Sequence, residues 1–373
     1  MFNLHGVNYD NMLDLVYNLP KAELHLHLHG AISHEAIMIL WNKYIQYLST
    51  EDKSFVSYLN KNKHYDNLRY FYSPQILLHE IENLFVYEDF YNFLATFGIF
   101  GFLIRKKDDL EMLIDDVLSD LIKQNVLYAE ITITVSAYMR SGLTLEEVLE
   151  CMDSACMKEG ITIYWIVDLV RNSGPDKANS IFEDINSYGP AFIKGFTLGG
   201  DEKSYSAHEF KFLYEKIRCH NYHTTIHSGE VGTSEDLWDA IKNLELDRIG
   251  HGISAANDPY LLHYLEKKRL PLEVCITSNV TLLSDCTFAN HPVTKLFSNG
   301  VCLTINTDDP TFFNTTLTDE YRHLLLMDFS VSEVLSLARN SFEVSFAPLP
   351  TKNELLHKFD TFLVGIDELI NTD

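Results

Sequence analysis

Apolar and polar positions along the chain follow two alternating rhythms. Short runs rich in β-branched and aromatic residues predict strands at 23–29 ("ELHLHLH"), 126–134 ("VLYAEITIT"), 162–170 ("TIYWIVDLV") and 192–199 ("FIKGFTLG"). Four more follow at 223–229 ("HTTIHSG"), 247–252 ("DRIGHG"), 271–278 ("PLEVCITS") and 301–309 ("VCLTINTDD"). Between them, segments such as "TLEEVLECMDSACMKE" and "DPYLLHYLEKKR" carry apolar residues at helical spacing. Eight strands alternating with helices are the arithmetic of an α/β fold, the (β/α)8 TIM barrel. The stretch from about 33 to 125 is too long for a simple crossover, and its pattern is helical and aromatic. It is expected to be a helical insertion between strands 1 and 2 that caps the barrel mouth. No repeat or low-complexity linker divides the chain, so one domain is expected over 1–373.

The first strand breaks the usual rule for its interior. His25, His27 and His29 alternate with leucines, and a period of two puts all three on one face. A single strand histidine is ordinarily a packing or surface residue, but three buried imidazoles need partners. Barrel chemistry sits at the C-terminal ends of strands, and the other strand ends carry polar residues too. They supply Gly200 in "LGGDE", His227 and Glu230 in "HSGE", His251 in "GHG", and Asp308 and Asp309 in "NTDDP". His25, His27, His227 and Asp308 can provide the few nitrogen and oxygen donors of a catalytic zinc site. Glu230 is placed to give a proton, His251 to orient or deprotonate a water, and Asp309 to bind substrate. Each residue also has a plainer use. Glu230 suits a helix start, Asp308 and Asp309 before Pro310 suit a turn, and His251 suits barrel packing. Their joint occurrence at strand ends favours a site.

Charge narrows the choice of substrate. Asp and Glu number 53 against 29 Lys and Arg, a formal net charge of −24. Such a chain is a poor partner for nucleic acid or anionic lipid, so a small molecule is expected. The six cysteines lack Cys-x-x-Cys spacing and suggest neither a disulfide framework nor a thiolate metal site. The N-terminal stretch lacks the basic start and apolar run of a signal peptide, and no run reaches the length of a membrane span. A cytoplasmic location is expected, and the oligomeric state is left open.

The motifs "PKAELHLHLHGAI", "LGGDE", "HSGE", "RIGHG" and "NTDDP", in this order, resemble the adenosine/adenine deaminase family of metal-dependent amidohydrolases. The resemblance implies a hydrolase acting on the C–N bond of a cyclic amidine, with zinc held by His25, His27, His227 and Asp308. Iron and manganese accept the same donors. It implies that Glu230 protonates purine N1, that His251 orients the water adding at C6, and that ammonia leaves. Asp309 would bind N7, and the Gly200 N–H would reach N3. Adenosine is the expected substrate, with a 5′-modified adenosine, adenylate or free adenine as alternatives. A catalytically silent relative is disfavoured by the complete residue set, and ester or lactone hydrolysis has no use for Glu230 with Asp309. At the position of His29, adenosine deaminases carry Asp, base-specific relatives Glu and a nucleotide-acting branch Asn. A neutral imidazole there could accept from a 5′-hydroxyl, a protonated one would favour an anion, and a packing role is the plain alternative. Among the aromatic residues of the insertion, Phe71, Tyr72, Phe85, Tyr87 and Phe97 suit helix packing, and Phe90 and Phe93 are candidates for lining the substrate site.

Overall fold

The alternation of Ala22, Leu24 and Leu26 with Glu23, His25 and His27 gives the first strand two buried faces of different chemistry. β1 (Lys21–His27) turns its leucines outward, where Leu26 lies beside Val117 and Leu121 of the helix Lys107–Lys123. Its histidines turn inward, where the His25 ring meets those of His227 and His251 from the opposite side of the barrel. The computed structural model describes residues 9–72 and 78–370. Two sequence readings fall partly outside them: that of the N-terminus at residues 1–8, and that of the helical insertion at 73–77.

Parallel pairing runs from β1 through β2 (Val126–Ile133), β3 (Thr162–Asp168) and β4 (Ile193–Thr197) to β5 (His223–Thr224). A second parallel sheet comprises β6 (His227–Ser228), β7 (Ile249–His251), β8 (Leu272–Val274) and β9 (Leu303–Ile305). β5 and β6 are two halves of one stave. Between them, Thr225 N–H and His227 N–H donate to the carbonyls of Phe196 and Leu198, and Gly250 N–H donates to Ile226. The ring closes between the last stave and the first, where His27 N–H donates to Asp308 O (2.8 Å) and Asp308 N–H to His25 O (2.9 Å). The result is the eight-staved TIM barrel expected from the alternation.

Most strand readings overrun the observed strands by a few residues, and two run on into helical turns. His29 is not on the strand: the chain leaves β1 at Leu28 and makes a 3₁₀ turn over Leu28–Gly30, with Ala31 N–H bonded to Leu28 O. Within "CITS" (275–278) the chain turns into a helix, Ile276–Leu282, because the Glu320 carboxylate caps the N–H groups of Ile276 (2.9 Å) and Thr277 (3.2 Å). An acid 43 or 44 residues away is invisible to a local pattern.

Between β1 and β2 lie helices His34–Thr50, Lys53–Asn62 and Phe90–Phe100, and 3₁₀ segments Asp66–Tyr72 and Leu78–Phe85, before the barrel helix Lys107–Lys123. Phe71 is fully buried against Trp41 (4.8 Å between ring centroids), and Phe85 stacks on His34. Phe90, Phe93 and Phe97, at i, i+3 and i+7, instead face a cavity at the barrel mouth. No helix among the described residues is long and apolar enough to cross a membrane.

Candidate active site

Every polar residue singled out at a strand end meets the same cavity or its floor. The cavity encloses about 680 Å³, with His27, His29, His227, Glu230, Asp308 and Asp309 among its barrel-side walls and Phe90 and Phe93 among those of the insertion. Gly200 reaches it three residues after β4. His25 and His251 lie just behind, buried in the floor.

The histidines converge closely. The His25 ring lies 4.5 Å from that of His227 and 4.9 Å from that of His251, and His27 lies 5.1 Å from His227. Asp308 Oδ1 stands 3.4 Å from His25 Nε2 and 3.3 Å from His27 Nε2. One donor atom from each of His25, His27 and His227 falls within 4.8 Å of the others, as do donors of His27, Asp308 and Asp309. The chain stores backbone strain here, since His251 (φ 59°) and Asp308 (φ 66°) both occupy the left-handed region. Local pattern gives no sign of these re-aimed strand ends.

Electrostatics favour a cation at this point. Burial opposes a charge on His25, yet Asp308 and Glu273 outweigh it and hold the imidazole up at about 10. Burial likewise opposes ionisation of Asp308, and the imidazoles of His25 and His27 outweigh it, keeping the carboxyl well below its usual range. A positive charge placed among these groups is therefore stabilised. Three buried polar atoms of the cluster, His25 Nε2, His251 Nε2 and Asp309 Oδ1, have no hydrogen-bond partner among the described residues. Orphans of this kind call for a bound ion or water, and a divalent ion fits the nitrogen and oxygen donors that surround them.

Sequence reasoning missed the supports of the cluster. The Glu273 carboxylate lies 2.8 Å from His25 Nδ1, which leaves Nε2 facing the other donors. Ser278 donates to Asp308 Oδ2 (2.8 Å), and the Asn279 amide approaches His251 Nδ1 (3.3 Å). Cys275 adds a buried sulfur near His25, His251 and Asp308. Glu202, the last letter of "LGGDE", accepts the N–H groups of Gly229 (2.6 Å), Glu230 (2.8 Å), Val231 (3.0 Å) and Gly232 (3.3 Å). A loop of four consecutive N–H groups thus closes on one carboxylate and positions Glu230. An acid beside a glycine pair was the only signal for it.

Burial, with Asp308 and Glu202 nearby, pushes the Glu230 carboxyl well above the usual carboxylate range, and burial beside Asp308 does the same for Asp309. Burial drives His251 down to about 3 and His29 also to about 3. His29 stands apart from the donor cluster. Its ring packs on Phe97 at 4.0 Å, and its Nδ1 meets the Tyr138 hydroxyl at 3.3 Å. Phe97, read from sequence as packing, also touches His27.

Gly30 shows how tightly this floor is built. A Cβ there would sit 1.6 Å from Asp309 Oδ1. Gly30→Ala is expected to lose about 1–3 kcal/mol of stability, as overpacked positions do, read as a lower midpoint in denaturant. An unchanged midpoint would mean that Asp309 turns aside freely.

The sequence model of the adenosine deaminase family matches residues 73–362. An aminodeoxyfutalosine deaminase of Streptomyces coelicolor is 30% identical over 369 residues, 96% of this chain and 89% of that protein. An adenosine deaminase of Clostridium acetobutylicum is 31% identical over 358 residues, covering 94% of this chain and 100% of the other. The crystal structure of an adenine deaminase from Arthrobacter aurescens superposes with a TM-score of 0.79 at 24% identity, over 92% of this chain and 99% of that one. With the family's sequence matched over most of its length, this chain belongs to the adenosine deaminase family.

Proposed function

We propose that the protein is a zinc-dependent aminohydrolase that replaces the 6-amino group of an adenosine-type nucleoside by oxygen, giving an inosine and ammonia. What carries the reading is one convergence. Buried nitrogen and oxygen donors, a carboxyl kept protonated and a neutral imidazole meet at the closed end of one cavity. His25, His27, His227 and Asp308 would hold the zinc. Bound there, it would supply the Lewis acidity that makes water reactive near neutral pH.

The chain's own groups do the rest. Glu230, neutral because it is buried among acids, gives its proton to N1 of the purine and leaves C6 short of electrons. Water adds to C6; one of its protons passes to the amino group and the other returns to Glu230, and the C6–N bond breaks to release ammonia. His251 presents Nε2 towards Glu230 (3.6 Å) and Asp308 (3.9 Å), where it orients that water. N7 of a purine is an acceptor, so its partner must donate. Asp309, pushed up by burial, carries the proton to do so. The N–H of Gly200 would reach N3, while Phe90 and Phe93 would cover the ring and exclude water.

The test is ammonia release from adenosine, adenine, AMP and 5′-deoxy-5′-methylthioadenosine, before and after dialysis against a chelator. Turnover of at least one nucleoside is expected, with loss on chelation and return with zinc. Turnover of adenine alone would transfer the reading to a base deaminase. Silence on all four with metal bound would end it.

A further inference from the structure

Two exposed cations, Lys61 and Arg140, line the same cavity as the buried Glu230, Asp308 and Asp309 of its floor. Lys61 follows Tyr58 by one turn on the helix Lys53–Asn62, so the two share a face. Tyr58 itself is fixed by its hydroxyl, which donates to the carbonyl of Ala95 on the helix Phe90–Phe100 (3.1 Å). Arg140 ends the short helix after β2 and is close enough to act electrostatically on both His29 and Tyr58. Lys61 and Arg140 come from separate elements, and neither forms an ion pair or side-chain hydrogen bond among the described residues. The remaining acid on the cavity wall, Asp168, is occupied by Thr134 Oγ1 (3.2 Å) and the N–H groups of Val170 and Gly199 (both 2.9 Å). In a chain of net charge −24, two uncommitted cations beside the aromatic cover are a local reversal of sign.

His29 is close enough to act electrostatically with both His27 and Arg140. It is two residues beyond His27 on the donor side and faces Tyr138 and Phe97 on the other. We infer that a purine with C6 at the donor cluster directs its ribose past His29, and that the substrate carries an anionic group at its 5′ end, a phosphate or a carboxylate, received by a subsite of Lys61 and Arg140. The inference rests on the deaminase reading for the direction in which the nucleoside lies. Arg140 can meet either anion through two parallel N–H groups, while Lys61 acts as a point charge. His29, buried between aromatic rings, serves as a wall for the sugar.

The experiment compares kcat/KM for adenosine, AMP and adenosine 5′-carboxylate, by ammonia release, in the metal-loaded enzyme and in a Lys61→Gln/Arg140→Gln variant. Two partly exposed ion pairs should favour an anionic over a neutral substrate by roughly tenfold at low salt. That ratio should shrink as salt is raised and fall towards one in the variant. Whichever anion shows the larger ratio identifies the source, phosphate or carboxylate. A ratio near one in the unmodified enzyme, or a ratio the variant retains, would overturn the subsite. Calorimetric Kd values for inosine, IMP and inosine 5′-carboxylate separate the two readings. Tighter binding of the anions without any turnover would sink the deaminase reading and keep the subsite. Turnover without an anion preference would do the reverse.

Discussion

Glu230→Gln should leave a folded, metal-loaded protein whose kcat is lower by about 10²–10⁴, the usual worth of a positioned proton donor. The size follows from how the residue is held. The loop around Glu230 is fixed through backbone N–H groups closing on Glu202, so the glutamine would inherit the same position. The Glu230 carboxyl itself makes no hydrogen bond to another described residue, and the neutral His251 Nε2 lies 3.6 Å from it. Removing its acidity therefore breaks no support of the fold. A glutamine amide is isosteric and still donates a hydrogen bond, but it cannot yield a proton to a ring nitrogen. KM should change little and kcat should collapse, as for an interaction made only in the transition state. Zinc content and the thermal midpoint, measured on the same preparation, rule out metal loss as the cause. Turnover within about tenfold of the unmodified enzyme would remove Glu230 from the acid role.

How far such a site can be read from sequence depends on where its partners lie along the chain. The barrel was legible because strand and helix periods are local, and β1 shows its buried faces within seven residues. The residues "HSGE", "GHG" and "NTDDP" were legible because strand ends are where barrels keep their chemistry. The convergence of His25, His227 and His251 depends on closure of the ring between residues 25–27 and 308, and no local window spans that gap. The same holds for Glu273 behind His25, 248 residues away. His29 was placed on the strand because the period of two continued through it. The 3₁₀ turn at Leu28–Gly30 leaves no mark in a hydrophobic pattern, and it separates His29 from the donors it was grouped with. Phe97 reads as packing in sequence because helix periodicity says which residues share a face, and not whether that face meets a neighbour or a cavity.

The largest stability effect should come from a residue that touches no substrate. Arg248 is fully buried at the base of the barrel, and its guanidinium joins two strands. Its Nε donates to Glu273 Oε1 (2.5 Å), a terminal nitrogen donates to Glu130 on β2, and another donates to Val344 O (3.0 Å). The guanidinium carbon Cζ lies 3.4 Å from the centre of the Phe346 ring. Arg248→Met fills the volume but leaves two buried carboxylates without their counter-charge, a loss of about 3–5 kcal/mol. The consequence reaches the donor cluster through Glu273. Burial alone would push that carboxyl up, and Arg248 and His25 together outweigh it and hold Glu273 below the usual carboxylate range. An ionised Glu273 accepts from His25 Nδ1 and keeps the Nε2 lone pair free for a metal. Without Arg248, Glu273 gains affinity for a proton, and a protonated carboxyl donates to Nδ1 instead. The imidazole hydrogen then moves to Nε2, where it blocks coordination. Zinc affinity should therefore fall by about 10–100-fold, as it does when a support behind a ligand is lost. Arg248→Lys, which keeps the charge but loses the fork, should fall between the two in both measurements. Denaturant midpoints and competition with a zinc chelator read the two effects separately. A Met variant with lower stability but unaltered zinc affinity would confine Arg248 to holding the barrel together. A loss in both, ordered Arg, Lys, Met, would connect the buried ion pairs under the barrel to the chemistry at its mouth.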